Sequence, residues 1–115
     1  MSRDPRLSLA DIQLSCSKII SYSEDFSRDE FFRDTMRFEA VLYNLHVLGE
    51  AVKNLPDELR ERHGHISWRK IAGMRDIVAH AYFALDLDIL WDAIRRSVPE
   101  LSDAIPAVIQ AESRR

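Results

Sequence analysis

Glycine and proline are scarce in this 115-residue chain, at three and four residues. A turn-rich β architecture needs both at corners with special backbone angles, so their scarcity argues for helices. Cys16 is the only cysteine. No intrachain disulfide and no cysteine-based zinc cage can form, and a reducing cytoplasm is the expected setting. The N-terminus lacks the basic-then-apolar pattern of a secretory signal. No apolar run approaches the roughly 20 residues of a membrane span, so no membrane role is expected. Positive charge is also short: 16 Lys and Arg stand against 19 Asp and Glu, a net charge of -3. General nucleic-acid affinity comes from many Lys and Arg contacts to phosphate, which this balance does not supply. Any RNA contact must use a local patch or a surface built by association.

What is present is ordinary globular material, 46% hydrophobic and 30% charged, over a length that suits one domain spanning residues 1–115. Asp4-Pro5 reads as a helix start, with a capping carboxylate followed by proline in the first turn. Leu9, Ile12, Cys16, Ile19 and Ser23 continue at helical spacing, with Tyr22 flanking, so a first helix is expected at about 5–24. Ser27 and Glu30 form a capping-box pair ahead of a short turn through Phe31 and Phe32.

The strongest periodicity covers about 34–60. Phe38, Val41, Leu42, Leu45, Leu48, Val52 and Leu55 make one apolar stripe, and Ala40, Tyr43, Val47 and Ala51 a second beside it. A helix apolar on two faces is expected to be central, packing on its own bundle and on something else. Gly49 inside it costs about 1 kcal/mol relative to alanine, and close helix packing is the simplest reason to tolerate it. Pro56 can open a new turn, with Asp57 and Glu58 near its positive end.

His63-Gly64-His65 reads as a loop, since two histidines do not complete a metal shell. Ser67 is expected to cap a third helix from Trp68, with Ile71, Met74, Val78 and Ala81 as its core stripe. From Asp86 onward, Leu87, Leu90, Trp91, Ile94, Val98, Leu101, Ile105 and Val108 hold one phase across Pro99 and Pro106. That phase implies a kinked helix or two nearly collinear ones. The expectation is an all-α, up-and-down bundle of four to five helices.

Arg75 falls inside or beside the core stripe of the third helix, where packing alone favours leucine. A guanidinium keeps its charge, so it needs a partner; Glu39 or Glu50 on the central helix would provide a purely structural one. His80 lies five residues on, about 140° around a regular helix. Either the helix distorts before it or a two-fold axis brings two copies together. Tyr82 shares the face of Arg75. Together these groups suit RNA cleavage without a metal or other cofactor. Imidazole, with a pKa near 6.5, can take the 2′-hydroxyl proton or supply one to the 5′-oxygen. Arginine meets the phosphorane with charge that does not titrate.

Arg75-Asp-Ile-Val-Ala-His80-Ala-Tyr82 resembles the R-x4-H-x-Y motif of HepT-like toxins, within the HEPN ribonuclease group. Gly49-Glu50-Ala51, the run from Ser67 to Met74 and the stretch from Asp86 to Trp91 resemble the same family. The resemblance implies a homodimeric HEPN-like bundle in which Arg75 and His80 cleave RNA. It also implies a minimal nucleotidyltransferase antitoxin that adenylylates Tyr82. Asp76, following the arginine, would orient Arg75 or His80. A non-catalytic HEPN-like module that docks onto a nucleotidyltransferase, or binds nucleotide, is the alternative. Arg60, Arg62, Arg69 and Lys70 form a candidate basic rim, His46 a candidate interface residue, and Trp68 and Trp91 sit at core spacing.

Overall fold

A computed structural model describes residues 3–76 and 86–115, and every regular element among them is helical. In chain order these are α1 (Pro5–Ser23), α2 (Arg28–Arg33), α3 (Thr35–Lys53), α4 (Asp57–Arg62) and α5 (Trp68–Ala72). Beyond the undescribed stretch come α6 (Leu87–Asp92), a π-helical turn at Ala93–Ser97, and α7 (Val98–Ser113). None of the described helices is long and apolar enough to cross a membrane.

The first helix starts as its sequence dictates. Asp4 accepts from the Arg6 backbone N–H, and Pro5 occupies the first turn. Leu9, Ile12, Cys16 and Ile19 are sealed in the core. Burial pushes the Cys16 thiol up to about 12, because an apolar interior disfavours thiolate. The capping box forms in both directions. Ser27 Oγ accepts from the Glu30 N–H at 3.2 Å, and the Glu30 carboxylate accepts from the Ser27 N–H at 3.0 Å. Phe31, Phe32, Phe38 and Trp91 then pack as a tilted and edge-on aromatic group, with the Arg95 guanidinium 4.4 Å from the Trp91 ring centroid. Trp68 is buried and donates its indole N–H to the His63 carbonyl at 3.0 Å.

The periodic segment over 34–60 divides where Pro56 is expected to open a new turn. α3 ends at Lys53, Asn54 caps it, and Pro56 introduces α4. The residue before a proline is pushed out of the helical region, so the break belongs one residue before the ring. Leu55 keeps its place in the core although it sits in the connection. Among the described elements α1 packs on α3 and α7, and α3 packs on α1, α5 and α2. The second stripe of α3 is covered only in part: Ala51 is buried, whereas Tyr43 is 67% exposed and Met36, in phase with it, 84%. His46 is exposed as well.

The phase across Pro99 and Pro106 is retained, and the π turn shows how. The Val98 N–H bonds back five residues to the Ala93 carbonyl. Proline offers no N–H and crowds the carbonyl four residues back; a wider turn before Pro99 gives the ring room without ending the rod. Leu90, Ile94, Val98, Leu101, Ile105 and Val108 remain buried along one side, whereas Leu87 is 38% exposed.

A clamp invisible to periodicity fastens the far end of that rod. Glu112 accepts from Arg62 through both carboxylate oxygens, at 2.5 and 3.2 Å, and lies 2.8 Å from His63 Nε2. Its side chain is 8% exposed. The Arg62 hydrogen bonds, and then His63, hold its carboxyl at about 2 instead of 4.5. A depressed acid stabilises the fold above its unfolded pKa and loses that contribution as pH falls. The contribution of Glu112 is therefore complete above about pH 4.5 and disappears toward about pH 2. Glu112→Gln should cost ~1–2 kcal/mol at pH 7, the scale of a charge-assisted hydrogen bond, and flatten the stability-versus-pH curve between those limits. Urea unfolding across pH checks both.

Candidate active site

Gly49 sets the geometry around Arg75. It lies on α3 facing the end of α5, and a methyl group built on it would stand 3.1 Å from Arg75 Cβ, 3.1 Å from Arg75 N and 3.2 Å from the Ala72 carbonyl oxygen. The close-packing expectation for this glycine is met, and its neighbour is the motif arginine. The third helix does not run straight from Trp68. It stops at Ala72, Gly73 forms a turn, and residues 74–76 resume helical conformation. Ser67 stands at the start of α5 but makes no side-chain capping bond. The interruption lies ahead of Arg75.

Ile71 and Met74 fill the core beneath this turn. Arg75 does not join them: its side chain is 38% exposed and reaches back to α3. Nη1 donates to Glu50 Oε1 at 2.6 Å. Of the two acidic partners considered for Arg75, the structure selects Glu50, whose side chain is 39% exposed. An ion pair this open to water contributes roughly 0–1 kcal/mol, too little to explain placing a permanent cation beside the core. Asp76 is exposed, and its backbone N–H bonds to the Gly73 carbonyl at 3.0 Å. His80 and Tyr82 lie outside the described residues.

The surroundings are less basic than the composition of the rim implies. Arg60 pairs with Asp57, Arg62 with Glu112, and Lys70 lies 3.8 Å from Asp92. Among the described residues Arg69 alone of the four rim cations lacks an ion pair. Between α4 and α5 runs an open groove of about 570 Å³ lined by Arg60, Trp68 and Arg69 but also by Asp57 and Glu61. Among the described residues no three His, Cys, Asp or Glu side chains cluster as metal ligands would; His63 is engaged by Glu112 instead.

Residues 12–108 match the profile of the family described as Ribonuclease HepT-like. The chain belongs to the HepT-like family. A protein of Caldanaerobacter subterraneus subsp. tengcongensis, provisionally named an RNase, is 37% identical over 96% of this chain and 98% of its own length. A Thermococcus cleftensis protein provisionally named ribonuclease HepT is 34% identical over 88% of this chain and 92% of its own. A longer Methanocaldococcus jannaschii protein, whose name joins gamma-glutamylcyclotransferase to an RNase, is 36% identical over 96% of this chain and 50% of its own length. No solved structure matches the chain significantly. The family match spans the whole segment from Gly49 to Tyr82, so the close α3 contact at Arg75 lies within it.

That contact has a testable sign. At an unhindered helical site Gly→Ala stabilises by about 1 kcal/mol, while overpacking costs ~1–3 kcal/mol. Gly49→Ala should therefore be destabilising by up to ~2 kcal/mol on these scales, measured by urea unfolding, rather than stabilising as an ordinary helix position would be.

Proposed function

We propose that this chain is the toxin of a toxin–antitoxin pair, a metal-independent endoribonuclease. The reading takes residues 1–115 as one HEPN-like domain, working in the cytoplasm. The observation that carries it is Arg75: a cation at the first position of R-x4-H-x-Y, held at the surface edge of the core by a glycine contact and open to solvent on one side. In this reading the 2′-oxygen bonds to phosphorus as its proton leaves, and the bond to the 5′-oxygen breaks as that oxygen gains a proton. His80 serves one or both transfers. Arg75 stabilises the phosphorane charge, and Asp76 supports the motif.

The enzyme works as a homodimer. Support comes from α3, where Met36, Ala40, Tyr43, Val47 and Glu50 recur at helical spacing on one outward face, with Met36 84% and Tyr43 67% exposed. A second copy covering this strip would end at the Glu50–Arg75 pair, and a shared cleft answers the 140° step between Arg75 and His80 on a regular helix.

Cleavage should persist in EDTA and leave a 2′,3′-cyclic phosphate or 3′-phosphate with a 5′-hydroxyl. Light scattering should give the active species as a dimer. Arg75→Ala and His80→Ala should each lose at least ~100-fold in rate, and His80→Ala should also relieve the growth arrest caused by expressing the chain alone. A docking module without activity would show no cleavage and no arrest.

The antitoxin in this reading is a minimal nucleotidyltransferase that adenylylates Tyr82. The added phosphate would sit near Arg75 and occupy its charge, so inhibition would be steric and electrostatic together. After co-expression with the transferase, mass spectrometry should find AMP on Tyr82 and none on Tyr22 or Tyr43. Tyr82→Phe should retain cleavage and escape modification. AMP on another tyrosine would reject the site.

A further inference from the structure

The Glu50–Arg75 pair is more selective than a charge neutralisation requires. A guanidinium can meet a carboxylate through two parallel N–H bonds, which uses up one edge of the fork. Here Nη1 alone donates to Oε1, at 2.6 Å. This end-on contact draws the guanidinium toward α3 while leaving most of its five donors to other acceptors. The contact also joins neighbouring parts of one device. Gly49 brings the α3 backbone against Arg75 Cβ and N, and the very next residue supplies the carboxylate. One turn of α3 thus sets both the position of the arginine backbone and the direction of its head group. Since the pair is more than one-third exposed on each side, its energy is too small for a structural staple.

We propose that Glu50 is the positioning residue of the site: it aims Arg75 at the phosphate and does not itself touch the reacting atoms. This rests on the cleavage reading above and adds a residue that the motif does not contain. Glu50 must accept a hydrogen bond at the right distance, so the uncharged isostere can do its work. The shorter carboxylate, one methylene back, cannot. A displaceable plug on Arg75 behaves in the opposite way, because losing its charge by any substitution frees the cation for RNA.

The test uses the full chain with Glu50→Ala, Glu50→Gln, Glu50→Asp, Arg75→Ala and the Glu50→Ala/Arg75→Ala double variant. With a short RNA, Glu50→Ala and Glu50→Asp should lower kcat by up to ~5-fold, the population shift available to a pair worth at most ~1 kcal/mol, with KM nearly unchanged. Glu50→Gln should keep the parent rate. In the Arg75→Ala background the loss of Glu50 should cost nothing further. Faster cleavage in both the Ala and Gln variants, a loss confined to KM, or additive losses in the double variant would each overturn the proposal. An arm independent of cleavage is the Arg75 Nε–Hε resonance in ¹⁵N spectra. It should be sharp and shifted in the parent and in Glu50→Gln, and broadened or at the free-arginine position in Glu50→Ala. An unchanged resonance in Glu50→Ala would reject positioning outright. A parent chain that cuts no RNA would reject the proposed function, and the resonance would then decide the role of Glu50 alone.

Discussion

The approach of α3 to the end of α5 at Gly49 is the constraint on which the site depends. Any larger residue there would meet the backbone nitrogen and Cβ of Arg75 at 3.1 Å, inside ordinary van der Waals contact. Everything nearby conforms to that closeness. Ile71 and Met74 are pressed into the core on one side of the turn. Gly73 interrupts the helix between them, and Arg75, unable to be buried alone at acceptable cost, turns along α3 to Glu50. The core therefore works as a jig, since its packing tolerances are tight enough to pass positional information to a polar group at its edge.

Much of this was legible because the signals were local. The Asp4-Pro5 start, the reciprocal Ser27–Glu30 cap and the buried phase from Leu90 to Val108 each depend on residues within one or two turns. Gly49 was legible too, since a glycine in an otherwise good helix requires a packing reason. What escaped was set by partners far off in sequence. Periodicity marks two faces of α3 as apolar but cannot say which is covered; the covering helix is α1, and Tyr43 and Met36 are left outside. Ser67 has the right chemistry for a cap, yet its backbone adopts φ -79° and ψ 65°, and no capping bond forms. Glu112 sits among the last residues, with no local hint that Arg62 and His63, about 50 positions earlier, complete a clamp around it. His80 and Tyr82 remain an inference from the motif.

The basic rim is the instructive correction. Four cations close in sequence made a candidate basic rim, and the structure gives three of them carboxylate partners. Pairing removes most of the counterion-release energy such residues could contribute to RNA binding. A chain of net charge -3 with three of its four rim cations paired has little diffuse attraction for RNA. It must rely on a few donors aimed well, and aim is a property of packing. This is why an exposed pair of small intrinsic energy matters. The free energy that places Arg75 comes from the buried side chains beneath it and the missing methyl group at Gly49, while Glu50 converts that placement into a direction.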